Sequence, residues 1–213
     1  MEHRAFFERE ATRVLEGRHV LLRPLREDDA EPMARCAAED RTSYAWAMVP
    51  GSAEEAVEYV AQLLEARARR EVLPFATVRA SSGEVVGGTR FLTLRWYFGR
   101  EEPDAVEIGG TWLAGSAQRT ALNTEAKLLM MGRAFDEWGV VRVDIKTDER
   151  NERSRRAIER LGARFEGVLR AWQSSQSPGE EGEPRDTAMY SVLAAEWPDV
   201  QARLLARLDA APE

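Results

Sequence analysis

Residues 109–138, GGTWLAGSAQRTALNTEAKLLMMGRAFDEW, constrain the fold more than any other part of the chain. They read as strand, loop and helix. Thr111, Trp112 and Leu113 have the β-branched and aromatic content of a strand end, and the small residues at 114–117 read as a turn. Asn123, Thr124 and Glu125 read as a helix start, and Ala126, Leu129, Met130 and Ala134 then recur at helical spacing. The first N–H groups of such a helix have no internal partner, and the helix dipole is positive there. Residues 118–123 therefore form a candidate anion site, with Arg119 able to fork onto a phosphate. The same residues equally suit an ordinary connection carrying one solvated arginine.

Around this stretch the pattern alternates. A short helix is expected over 2–16, a strand over 19–25, a helix over 27–41 and another over 52–70. In the last of these Ser52 and Glu55 form a capping box, and Val57, Val60, Leu63 and Leu64 face inward. Strands are expected over 73–79, 85–94 and 105–113. After the central helix come a strand over 140–146, a helix over 152–161 stopped by Gly162, strands over 163–169 and 186–193 around a polar loop, and an amphipathic helix over 196–208. Antiparallel strands come first and helices then alternate with strands. The expected fold class is therefore a single α/β domain spanning 1–213, with its core between Leu15 and Leu208, built on a mixed, mostly antiparallel sheet flanked by helices.

Charge and residue usage remove several function classes. A net charge of −7 and a pI near 5.2 argue against a nucleic-acid partner, which calls for a basic face, and lean toward a cationic substrate such as an amine. Cys36 is the only cysteine, so no internal disulfide can form, and a reducing cytoplasm is the expected location. His3 and His19 lack partners at metal-ligand spacing, so neither a metal site nor a Ser-His-Asp triad is expected. The N-terminal residues are too charged for a secretory signal, and no run of roughly 18 apolar residues offers a membrane span.

The order Gln118-Arg119-x-x-x-Asn123, then Asn151-x-x-Ser154, then Leu161-Gly162-Ala163 resembles the GNAT superfamily of acetyl-CoA-dependent N-acetyltransferases. It looks most like the branch that includes the ribosomal-protein N-terminal acetyltransferases, which also fits Leu22-Arg23-Pro24-Leu25 and the segment from Arg185 to Ser191. The resemblance implies transfer of acetyl from acetyl-CoA directly to a primary amine, on a protein N-terminus or a small molecule, and it allows a homodimer. The alternative is a CoA-binding or interaction protein with weak or lost activity. One departure bears on this: Ala121 stands at the first glycine of the family's phosphate loop, where a glycine permits positive φ and close approach.

Carried over residue by residue, the resemblance implies that Trp112 and Leu113 offer backbone groups to the pantetheine arm. Gln118, Arg119, Thr120, Ala121, Leu122, Asn123 and Thr124 would surround the pyrophosphate, Asn151 would bond the arm, and Ser154 would sit near sulfur as proton donor. Asn151 and Ser154 also suit plain helix capping. Glu107, on one strand face with Gly109 and Thr111, is the candidate general base, with Asp144 and Glu149 behind it. The glycine pair at 109 and 110 suits either a bulge in that strand or close packing. Arg150, Arg153, Arg155 and Arg156 make a basic patch, and the aromatic loop from Tyr44 to Trp46 suits either an acceptor wall or a plug over the core.

Overall fold

Val20, Leu22, Ala76, Val78, Val106, Ile108, Val143, Ile145, Ala188, Tyr190 and Val192 alternate along their strands and are buried. This period-2 pattern builds one continuous sheet. The computed structural model describes residues 3–210. Its elements are α1 (Arg4–Glu10), β1 (Leu15–Glu16), β2 (Val20–Pro24), α2 (Ala30–Ala37), α3 (Ala53–Ala68), β3 (Val72–Arg79), β4 (Val85–Arg95) and β5 (Ala105–Leu113). They continue with α4 (Ala121–Gly132), β6 (Arg142–Asp148), α5 (Glu152–Leu161), β7 (Arg164–Ser174), β8 (Pro184–Leu193) and α6 (Trp197–Asp209). The eight strands lie in the order β1-β2-β3-β4-β5-β6-β8-β7. Every neighbouring pair is antiparallel except β5 and β6. Helices α2 and α3 pack together and against β3 and β4, while α4 packs on β2 and on α6.

The mixed, mostly antiparallel sheet matches the expected class, and β5 and α5 keep their expected bounds. Four expectations are corrected. The first helix ends at Glu10, and Leu15 and Glu16 instead pair with Leu22 and Leu21 as an edge strand. Position 2 of that expected helix lies outside the described residues. On α3 the inward face is Ala56, Tyr59 and Val60, which leaves Val57 61% exposed on the far side. The α3 cap is made as Ser52 Oγ accepting from Glu55 N–H, but the Glu55 carboxylate reaches back to Gly51 N–H rather than to Ser52. Finally, α4 begins at Ala121 and not at Asn123, because Thr120 is the cap: its Oγ1 accepts from Leu122 N–H at 3.3 Å.

Two polar features sit inside the core. Arg133, in the π-turn that continues α4, makes a buried ion pair with Glu10 of α1 at 2.7 Å. Lys127 is buried on α4 and donates to Thr111 Oγ1 at 2.6 Å and Thr89 Oγ1 at 3.3 Å. Burial, with no counter-ion among the described residues, pushes its ammonium down to about 7.

Candidate functional site: a forked strand pair beside a cationic cavity

Strands β5 and β6 pair only through Ala105–Arg142, Val106–Val143 and Glu107–Asp144. Beyond Glu107, β5 bears one extra residue against β4: Arg90 faces Gly109, Gly88 faces Trp112, and so two positions of β4 span three of β5. The bulge is possible because Gly110 takes φ +55° with the Arg90 guanidinium packed against it, which leaves no room for a Cβ. Of the two readings of the glycine pair, this is the bulge. It turns β5 away from its parallel neighbour, and the backbone edge of β5 from Ile108 onward is left facing a fork rather than a ladder.

The far end of β5 is tied down from two sides. The Leu113 carbonyl accepts from Tyr44 Oη and from Gln118 Nε2, both at 2.8 Å. Gln118 also donates to Ser43 Oγ at 2.9 Å and accepts from Arg153 on the first turn of α5. Gln118 therefore bridges the end of β5 to the start of α5. Trp112 is buried and donates from Nε1 to Tyr59 Oη at 3.2 Å, and Tyr44 packs edge-on against it. The aromatic loop thus plugs the core through Tyr44, while Trp46 lies 4.2 Å from the Arg150 guanidinium in a cation–π contact.

At the start of α4 the chain opens a cavity of about 680 Å³. Arg119, Thr120, Ala121, Leu122 and Thr124 form one wall; Gln118 and Asn123 do not line it. The left-handed backbone that a glycine would favour falls at Arg119, with φ +61°, two residues before Ala121. Ala121 itself is the first helical residue. The opposite walls were not foreseen from the sequence: Arg18 and His19 from the β1–β2 turn, Arg79 at the end of β3 and Ser81 just after it, and Arg207 and Leu208 from α6. Four arginines meet there, and among the described residues no carboxylate lines the cavity. A larger groove of about 870 Å³ between α1, β1, α4 and α6 is unlike it: Arg9, Arg13, Arg133, Asp136 and Glu137 line it together, and the Arg13–Glu137 and Arg133–Glu137 pairs spend its charge internally.

At α5, Asn151 is the cap, its Oδ1 accepting from Ser154 N–H at 3.0 Å. The capping role occupies the Asn151 oxygen but leaves its amide Nδ2, and the Ser154 hydroxyl, without a hydrogen bond among the described residues. Glu107 is buried, with Oε2 held by Lys146 Nζ at 3.1 Å and Thr93 Oγ1 at 3.2 Å. Its Oε1 has no donor among the described residues and faces Gly109, where an added Cβ would come within 3.1 Å. Asp144, by contrast, is clasped by Arg95 and Arg142. Asp148 is bound by Arg150, which also pairs with Glu180 at 2.8 Å. Arg150, and after it Ser175, draws the Glu180 carboxyl down to about 2. Burial works to raise the Asp148 carboxyl, but Arg150 holds it below the usual range. Burial pushes the Cys36 thiol up to about 12, which fits an inert core side chain. Among the described residues there is no cluster able to hold a metal ion, and no helix is long and apolar enough to cross a membrane.

A fork in a sheet, with one of its strands leading directly into a cation-lined helix start, suits a ligand with an extended arm and a phosphorylated end. Comparison with known proteins points the same way. Residues 19–164 match the family model described as the acetyltransferase (GNAT) domain. The chain is 25% identical over 181 residues to an uncharacterized N-acetyltransferase, YoaA, of Bacillus subtilis (strain 168), covering 84% of this chain and 96% of that one. Among solved structures, a GCN5-related N-acetyltransferase from Brucella melitensis superposes with a TM-score of 0.79 at 29% identity, covering 92% of this chain and 86% of that one. RimJ of Mycobacterium smegmatis, in complex with CoA-disulfide, shares the fold with a TM-score of 0.70 at 23% identity, covering 92% and 91%.

Proposed function

The chain belongs to the GNAT acetyltransferase family, and from that premise we propose that it moves the acetyl group of acetyl-CoA directly to a primary amine. The observation that carries this reading is the fork between β5 and β6, whose strand β5 leads through residues 114–120 to a helix start where four arginines line a cavity. CoA has both parts that such a site takes: a long amide-bearing arm for an open strand edge and three phosphoryl groups for guanidinium forks and free helix N–H groups. The open edge of β5 approaching Trp112 and Leu113 would pair with the arm. The Leu113 carbonyl is already saturated, so the free N–H and C=O groups nearer the bulge do most of that work. Asn151 Nδ2 would donate to an amide carbonyl of the arm.

In the reaction the amine nitrogen attacks the thioester carbonyl carbon, the carbon–sulfur bond breaks, and the thiolate takes a proton. The acceptor must arrive neutral. Glu107 is the best-placed base, since its Oε1 faces the bulge and Asp144 and Asp148 are spent on guanidinium partners. A backbone N–H at the bulge would face the developing oxyanion. The free hydroxyl of Ser154 would donate to sulfur as charge builds there. A protein N-terminal amine, with a pKa of about 7.7–8.0 against about 10.4 for lysine, asks least of such a base. That favours N-termini over lysine side chains as acceptors.

The test is thiol release from acetyl-CoA with and without a panel of peptides and small amines. Release that depends on a free primary amine, with N-terminal peptides preferred over ε-amines, is the expected result. Tight CoA binding by calorimetry, with no amine in the panel raising thiol release, would replace the enzyme reading with a binding one.

A further inference from the structure

Arg150 lies in the turn between β6 and α5, just past the end of the strand that leaves the fork. Its guanidinium joins three elements. Nε and Nη2 donate to the two oxygens of Asp148, at 3.0 and 2.9 Å, and Asp148 is buried at the end of β6. Nη1 and Nη2 donate to the two oxygens of Glu180, at 2.9 and 2.8 Å, in the loop at 175–183 that connects β7 to β8. Trp46, in the loop between α2 and α3, covers the same guanidinium in the cation–π contact at 4.2 Å. A planar fork of five donors serves two carboxylates and a ring at once, whereas a lysine ammonium is a point charge.

Both loops are also fixed away from Arg150. Tyr44, two residues before Trp46, donates from Oη to the Leu113 carbonyl, so this loop spans the fork from the end of β5 to the turn after β6. Within the other loop, Glu180 Oε2 accepts from Ser175 Oγ at 2.7 Å, and Ser177 N–H donates to the same hydroxyl at 3.2 Å. The clasp stands at the end of the sheet face that bears the candidate base. Asp144, Lys146 and Asp148 alternate along β6, and Glu107 lies opposite Asp144 and pairs with Lys146, so all of them share one face. From Asp144 to Asp148 along β6 is roughly 13 Å, at ~3.3 Å per residue. An extended peptide whose amine is at Glu107 covers that distance in about four residues. A small amine stops short of it.

We propose that Arg150 is a positioning residue: it clasps the loops at 44–46 and 175–183 at the far end of the Glu107 face, and so shapes a groove for the residues that follow the amine of a peptide acceptor. The proposal rests on the acetyl-transfer reading and narrows its acceptor to the N-terminus of an extended chain.

The experiment compares an alanine hexapeptide with alaninamide, the same amine without the chain, as acceptors for the wild type, Arg150→Met, Arg150→Lys and Glu180→Gln. For each acceptor kcat and KM are measured, with CoA affinity by calorimetry and melting temperature on every preparation. The wild type should show the lower KM for the hexapeptide. Arg150→Met should raise that KM roughly tenfold and leave the alaninamide KM, CoA affinity and both kcat values within about twofold of wild type. Arg150→Lys should fall between, and adding Glu180→Gln to Arg150→Met should raise the KM no further, since the two share one interaction. A general loss of structure moves both acceptors together. An equal rise for alaninamide, or an unchanged hexapeptide KM in folded Arg150→Met, therefore overturns the proposal. Should Arg150→Met fail to fold, Glu180→Gln, a change on a loop, decides by the same two readings. A wild type that turns over neither acceptor fails the acetyl-transfer reading, whereas turnover with no lower KM for the hexapeptide fails only the present proposal.

Discussion

At the start of α4, four arginines gather with no acid beside them among the described residues. Across the fork, on the sheet face of β5, β6 and β8, the arrangement is reversed. Glu107 has Lys146, Asp144 has Arg95 and Arg142, and Asp148 has Arg150. On the proposed reading, such a cation-rich wall suits a ligand that brings negative charge. A balanced set keeps its own shape and offers a visitor geometry more than charge. On the proposed reading, the donor would be held by electrostatics in the first region and the acceptor selected by fit in the second.

The comparison breaks most sharply on stability. Lys146→Met leaves Glu107 buried without its cation, and breaking a buried pair in this way should cost about 3–5 kcal/mol in urea unfolding. Arg79→Met in the cavity should stay within about 0.5 kcal/mol of wild type, since it removes repulsion along with contacts. Equal losses would end the distinction between the two regions.

Next in size is binding. Arg119→Glu should weaken CoA affinity by roughly 10–100-fold by calorimetry, with the melting temperature unchanged, because Arg119 is exposed and lines the cavity. Raising salt should weaken CoA affinity steeply and leave the acceptor KM nearly flat. Unchanged affinity in a folded Arg119→Glu protein would move the phosphates elsewhere.

Catalysis gives a smaller effect. Ser154→Ala should lower kcat by roughly tenfold or a little more with CoA affinity preserved, since a hydroxyl that donates to departing sulfur acts in the transition state. Its backbone N–H, which Asn151 caps, is untouched by the substitution. A normal kcat would leave Ser154 with no catalytic part.

Between the two regions lies Lys127, whose folded pKa of about 7 is below the unfolded value. The unfolded chain therefore binds the proton more tightly between about pH 7 and pH 10.5, so stability rises with pH across that window, and the full penalty is felt below it. Lys127→Met should stabilise the protein most at about pH 6 and least above about pH 10.5. A gain independent of pH would show that packing, not the buried charge, sets the difference. Smallest of all is Ala121→Gly. Ala121 is helical, so the change should leave CoA affinity within about twofold and cost at most about 1 kcal/mol from added chain entropy.

How much of this the sequence disclosed depends on how local each signal is. Helix α5 was legible to the residue because Asn151 opens it and Gly162, at φ +98°, closes it. The start of α4 was not, because Asn123 and Thr124 are cap-type residues standing just inside a helix that Thr120 already caps. Val57 and Val60 look equivalent in a list of apolar residues. Only the packing of Tyr59 and Ala56 against the sheet decides which of them is inside. That a helix starts beside Arg119 is a local signal and was readable. Arg18, Arg79 and Arg207 come from turns and a helix brought together only by the finished sheet, and no short-range pattern marks them. Glu107 could be placed on its strand, but its partner Lys146 follows from the parallel register, which no single stretch encodes.

Three residue pairs join β5 to β6. Mechanically the molecule is two plates, β1 to β5 and β6 to β8, welded along one short seam and open beyond it. A donor lying in the opening would act as the absent length of seam, fastening plate to plate. The same object that is consumed in the reaction would then stiffen the scaffold that positions it. Amide hydrogen exchange should slow at 108–113 when the donor is bound, and return to its free-protein rate each time the product leaves.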